Sequence, residues 1–521
     1  MRYLILASAL AVSLIPANGA LVNARADSVV TPATSSVDED FSMAFDAPAE
    51  QYAHAAAHVI PQSGAFTVQA WVYDDSINDG DWRHILSQGQ GGTAFYLGTA
   101  RNSQEIRAGD RWPSTGVNLP VGEWAHLGLV SDGSGAATLY LNGQVAAIKS
   151  SGFSAPSVPG ARFQMGRQFT DQQYWNGRID QVKIYSAALD AAAIAADMHS
   201  YGMYTGGSIT AADHVAFYDF NEGPSGSTGT GTIPNRVANA PADSNLTTVN
   251  DPVYVDIAQS GSDGDDSVVF FPRSYLTAAG GWESPAQLRG MRALVVGGGG
   301  GGGGIRGGGG GGGGVFDSTT STVTVSPGVH PVTVGQGSLG VRFDTDTSSY
   351  VYGAATGQTT SAFGLTAGGG GLAGTAAAGR ATGADGSPGT AGGSGGGGAS
   401  DLANSGAGGA AGTGTVPGRA GGTGVFAVAG AGGGGGADTG GGDASIASTI
   451  GASGGDGIAS DITGSLVHYG GGGGGGNEGG QTSRSSGGLG GGGQGASSTN
   501  GIGESGSANT GGGGGGGTWT G

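Results

Sequence analysis

Between residues 41 and 200 apolar and polar positions alternate with a period of two, and the runs are broken by clusters of Gly, Asn, Asp, Ser and Pro. In residues 66–73, Phe66, Val68, Ala70 and Val72 fall on one face and Thr67, Gln69, Trp71 and Tyr73 on the other. The runs 94–98, 126–130, 138–141 and 179–185 repeat the pattern, and hardly any stretch has a helical period. Many short strands joined by tight turns predict an all-β antiparallel sandwich, and the segment is long enough to bury a good core. Within LYLNG (from Leu139), Asn142-Gly143 suits the positive φ angles of a two-residue hairpin. Residues 201–290 read as a β connector, with strand candidates starting at Val215, Asn245 and Ser267.

From about residue 291 the pattern changes. MRALVV (from Met291) runs directly into eight glycines at 297–304, and VFDSTTSTVTVSPGVHPVTVGQG (from Val315) alternates Val323, Val325, Val332 and Val334 around Pro327-Gly328. Short strand candidates at Leu339, Ser349, Ser361, Gly424 and Ser465 separate further glycine tracts, and 84 of the 118 glycines lie after residue 300. Glycine brings no side chain to bury and loses the most entropy on ordering, which excludes an ordinary globular enzyme domain here. The glycines come in runs rather than at every third position, which excludes collagen. Two states remain, a disordered linker or an ordered array. In the array, extended polyglycine-type helices of three residues per turn would satisfy one another's N–H and C=O groups laterally, with the strands clamping their ends.

The ends and the charge narrow the setting. Residues 1–26 read as a signal peptide: Arg2, an apolar stretch from Leu4 to Ile15, then small residues up to Ala24-Arg25-Ala26. Residues 27–40 form a linker. The apolar stretch is too short to span a bilayer, no later one approaches the necessary length, and no membrane insertion is expected of the mature chain. A net charge of -19 excludes nucleic acid and anionic membrane surfaces as partners. The absence of cysteine in an exported chain of this size points to a bacterial secreted or cell-surface protein.

Seven pieces in order carry a family resemblance: SMAFD (from Ser42), FTVQAWV (from Phe66), HILSQG (from His84), EWAHLGLV (from Glu123), LYLNG, MGR (from Met165) and WNGRIDQVKIYSAALD (from Trp175). Residues 41–200 thereby resemble the LamG-like (concanavalin A-like) jelly-roll family. The resemblance implies a two-sheet sandwich that binds glycans or proteins. It also implies a structural calcium near Asp180 and the turn after the first strand, here Asp46. By strand parity with Val182 and Ile184, Asp180 should point into the core, where a carboxylate needs either a cation or several backbone donors. Trp82, Tyr96, Trp112 and Trp175 are candidate sugar-stacking residues, with burial in the core as the competing reading. Trp71 and Trp124 fall at family core positions, and His126 reads as a strand histidine.

Residues 291–521 resemble bacterial glycine-rich domains that open with ALVV, glycine runs and TVTVSPG-type strands. Similar glycine-rich sandwiches occur in phage tail-fibre adhesins. Such domains end on a closing apolar strand, whereas this sequence stops at Trp519-Thr520-Gly521, so the expectation is a domain truncated at its C-terminus. No Glu-x-Asp-x-Glu, no His-Glu-x-x-His and no nucleophile elbow on a strand-to-helix turn is present. The expected function is that of a non-catalytic, adhesin-like surface protein whose partner is a glycan or a surface protein. The alternative is a structural envelope component that self-assembles laterally through its glycine-rich part.

Overall fold

The computed structural model describes residues 3–6 and 40–518, apart from short internal segments of which 377–384 is the longest. Most of the stretch expected to be a signal peptide and linker, and Trp519-Thr520-Gly521, lie outside the described residues. Near the N-terminus, Tyr3–Leu6 is a strand parallel to both Asp266–Phe271 and Leu288–Val296.

The alternating segment folds as two antiparallel sheets packed face to face. At the centre of an eight-stranded sheet, Phe66–Asp74 pairs with Trp124–Ser131 on one side and Gly177–Tyr185 on the other. The opposing seven-stranded sheet has Tyr52–Ala55, Phe163–Met165, Arg83–Gln88 and Phe95–Thr99 in its middle. Phe66, Val68, Ala70 and Val72 point into one core with Leu86, Leu97, Phe163 and Met165. That is the face the period-two pattern assigns to them. Asn142 (φ 52) and Gly143 (φ 77) form the tight turn between Ala137–Leu141 and Gln144–Lys149, as the sequence indicates.

The sandwich does not stop near residue 200. His214–Tyr218 pairs with Gly177–Tyr185, Val253–Asp256 pairs with Phe41–Phe45, and Leu246–Val249 pairs with Tyr52–Ala55. Much of the stretch read as a connector therefore supplies strands to both sheets, because edges of the first set need partners for their backbone N–H and C=O groups.

One local feature reverses a sequence expectation. Gln181 has φ 48 and sits in a bulge, where the register against Phe66–Asp74 shifts between Asp180 and Lys183. An extra residue flips the alternation. Ile179 and Val182 both enter the core, so Asp180 faces the opposite side of the sheet, in register with Trp71.

That outer side is covered by the start of the glycine-rich part. Trp71, Trp124 and Met198 pack in one apolar cluster with Ile257, Phe271, Tyr275, Met291, Ala293, Val295, Val332 and Val334. Arg273 is fully buried within it. Its guanidinium forms ion pairs with Asp40 (3.3 Å) and Asp180, and lies 5.5 Å and 5.1 Å from the ring centres of Trp71 and Trp124.

The glycine tracts beyond are buried and ordered by lateral hydrogen bonds. From the tract 308–314, the N–H groups of Gly308, Gly311 and Gly314 donate to Gly374, Gly371 and Gly368; those of Gly309 and Gly312 donate to Gly432 and Gly435; those of Gly310 and Gly313 donate to Gly514 and Gly511. Every third residue meets the same neighbour, so the tract is a three-sided rod surrounded by other backbones, a period shared with extended three-residue turns. Contact this close leaves no room for side chains. A Cβ on Gly310 would overlap the carbonyl oxygen of Gly300.

Candidate functional site

The outer face of the seven-stranded sheet carries a band of polar and aromatic side chains. Cross-strand register aligns Thr247, His54, Gln164, Ser87 and Tyr96 in one row, opposite in parity to the core row Ala53, Met165, Leu86 and Leu97. Next to it, His84 and Arg107 both pair with Gly98. The His84 and Tyr96 rings are 5.3 Å apart. Burial, aided by the charge of Arg107, lowers the His84 pKa to about 3, so its imidazole is neutral.

Partly exposed rings lie at both margins of this band. At one, Arg167 stacks over Tyr52 at 3.6 Å, with the Tyr174 ring 6.4 Å from that of Tyr52. At the other, Arg107 lies 4.0 Å from the Trp82 ring centre. Such pairs hold the rings flat, since a guanidinium over a π face is worth about 0.5–2 kcal/mol. Gln164 accepts a 2.8 Å hydrogen bond from the Arg167 Nε, which fixes that guanidinium. Partly exposed rings flanked by fixed donors can stack on a pyranose face and bond its hydroxyls.

The four aromatics singled out in the sequence separate on folding. Trp82 belongs to this band and remains partly exposed; Tyr96 belongs to it but is covered. Trp112 and Trp175 are buried in the sandwich core, because both point between the sheets, and neither can meet a ligand there. Tyr52, Tyr174, Arg167 and Arg107 escaped the sequence reading. The alternation in YAHA (52–55), with Tyr52 and His54 on one side and two alanines on the other, was the available signal.

Asp46 and Asp180 are not brought together. Asp46 follows Phe45, which pairs with Gly177, so Asp180 lies four residues away along the sheet, roughly 13 Å. Asp46 is exposed, whereas Asp180 takes its positive partner from Arg273. These residues do not fit a shared calcium ion: the inward carboxylate anticipated from parity faces the other way and is paired with an arginine. Among the described residues no group of three or more His, Cys, Asp or Glu is placed to hold a metal ion. Burial raises the pKa of Asp40 to about 6 and moves Asp180 well above the usual carboxylate range, with Arg273 opposing both shifts. His126 is a buried strand histidine whose ring lies 5.4 Å from that of Trp71.

Comparison with known proteins agrees with this architecture. Residues 47–195 match the concanavalin A-like lectin/glucanases superfamily, and residues 276–521 match a glycine-rich domain. No match was found among curated proteins. Among solved structures, similarity extends to a Bacteroides ovatus protein described as carbohydrate-binding, at 18% identity and TM-score 0.33, over 42% of this chain and 60% of that one. A heptameric SAP-like pentraxin of Limulus polyphemus is similar at 15% identity and TM-score 0.24, over 31% of this chain and 82% of that one. Domain 4 of an extracellular arabinanase of Geobacillus stearothermophilus, solved with arabinotriose, is similar at 19% identity and TM-score 0.23, over 27% of this chain and 69% of that one. This chain thus spans less than two thirds of the length of the first of these structures.

Proposed function

We propose that this chain, which joins a concanavalin A-like lectin/glucanase sandwich to a glycine-rich domain, is a non-catalytic glycan-binding protein of the bacterial surface or exterior. The observation that carries the reading is the band on the outer face of the seven-stranded sheet, with Tyr52, Tyr174 and Trp82 partly exposed at its margins and Arg167 and Arg107 stacked on two of those rings. The family match of residues 47–195 supports it, and the sequence carries no Glu-x-Asp-x-Glu of the kind that pairs carboxylates on one strand face. No helix among the described residues is long and apolar enough to cross a membrane. Export rests on the leader sequence; a mature mass beginning at Asp27 tests it.

A glycan array probed with the full protein tests the binding role. The expected outcome is retention on neutral polysaccharide, weakened about tenfold, or 1.4 kcal/mol, by Tyr52→Ala or Trp82→Ala. Absence of retention on every glycan, or binding untouched by both variants, would remove the outer face as the site.

A further inference from the structure

A cleft of about 840 Å³ lies between the sandwich and the glycine-rich part, lined by none of the residues of the aromatic band. Its sandwich wall comes from residues 116–123 and the 141–142 turn, and its other wall from segments of 299–305, 336–341 and 501–518. That volume lies within the ordinary range for small-molecule and oligosaccharide sites.

Its lining contains polar groups left incomplete. Gln336 and Asn509 are 4% and 6% exposed, yet Gln336 Nε2 and Asn509 Oδ1 have no hydrogen-bond partner. An unmet buried donor or acceptor costs about 1–3 kcal/mol, so a ligand that draws either side chain out from the cleft wall would gain by completing it. The Glu123 carboxyl, on the sandwich wall, also has no partner among the described residues. Burial raises its pKa to about 7.

The chemistry of the occupant follows from what lines the cleft. Among the described lining residues there is no Lys or Arg, so a phosphate, sulfate or carboxylate would find no side-chain cation on its walls. Its other acid, Glu504, is neutralised by Arg484. A missing acceptor for Gln336, a missing donor for Asn509 and an uncompensated carboxyl all suit hydroxyls, because an O–H both donates and accepts. Ile502, 70% exposed at the cleft, offers an apolar surface for the C–H face of a sugar ring.

We propose that this cleft is a second binding site, for an uncharged oligosaccharide segment, and that it exists only where the sandwich and the glycine-rich part meet. The proposal deepens the glycan-binding reading but uses a different face. The test is calorimetric titration of the full protein with neutral hexasaccharides of glucose, xylose, arabinose and galactose. Gln336→Leu and Asn509→Gly variants are compared with Tyr52→Ala, and urea unfolding confirms that each variant is folded. Because the chain has no cysteine, an Asn118→Cys variant capped with a bulky maleimide obstructs the cleft from an exposed position without touching the core.

The expected result is one class of site weakened about tenfold by each cleft variant and abolished by the cap, while Tyr52→Ala leaves that class intact. Cleft variants and cap that change no isotherm overturn the cleft proposal alone. A Tyr52→Ala variant that changes nothing overturns the outer-face reading alone. Absence of all hexasaccharide binding overturns both the cleft proposal and the glycan-binding reading, and cleft-dependent binding of oligolysine overturns the cleft proposal by showing that Glu123 selects a cation.

Discussion

Arg273 is the residue on which two halves of the molecule converge. Its guanidinium is fully buried, sits near two indole rings and is shared by Asp40 and Asp180. Removing one partner from a buried ion pair leaves uncompensated charge and costs about 3–5 kcal/mol. Arg273→Ala should lower stability by that amount in urea unfolding, and the triple change Arg273→Met, Asp40→Asn and Asp180→Asn should recover most of it. A single-variant cost below about 1 kcal/mol would contradict the pairing. Glu123 makes a second residue-scale prediction. Its folded pKa, about 7, lies above the ordinary 4.5, so between those values the folded state holds a proton that the unfolded state has released. Stability should therefore fall as pH rises from about 4.5 through 7, by on the order of 2 kcal/mol once its partial exposure is allowed for. In Glu123→Gln that component of the pH profile should vanish, leaving the variant more stable than the parent at pH 8 and nearly equal at pH 4.

At the scale of elements, strand faces were legible and their exceptions were not. Phe66–Asp74 presents the alternation that its residues prescribe, and Asn142-Gly143 turns where a positive-φ pair should. The bulge at Gln181 had no signature, since a bulge is selected by the partner strands and not by the residue that occupies it. One inserted residue moved Asp180 from the expected core to the interface. The glycine tracts behave as elements whose specificity is purely steric. Gly310→Ala places a Cβ against the Gly300 carbonyl, where only backbone could yield, and should destabilise by about 3 kcal/mol or more. Gly364, at φ +77 with open space around it, is the control: alanine there should cost about 1–2 kcal/mol. Thermal unfolding of the two variants measures the difference, and equal losses would mean that the close approach at Gly310 is relieved by movement of the tract.

At the scale of the whole molecule, the sandwich ends near residue 257, not near 200. A chain cut after residue 200 loses strands from both sheets and leaves Phe41–Phe45 and Tyr52–Ala55 as open edges, so it should fail to unfold cooperatively. A chain covering 40–257 should fold yet expose Trp71, Trp124 and Met198, now covered by the glycine-rich part, and circular dichroism melts with light scattering should show cooperative but association-prone behaviour. If the shorter chain melts as sharply as the longer one, the added strands are dispensable.

The period-two pattern by itself determined the all-β sandwich, its inward faces and its hairpin, because side-chain alternation is a local property of the strand. The strands bracketing the glycine runs kept an ordered array open beside a flexible linker, and the lateral backbone hydrogen bonds of the tertiary structure decided for the array. Only the tertiary structure decided which aromatics reach solvent. Trp112 and Trp175 have the composition of a sugar platform but point between the sheets, while Tyr52 and Tyr174 lie outside. Burial depends on what packs above a residue, and the partners of Trp71, Asp180 and Gln336 lie far along the chain, where no local period can register them.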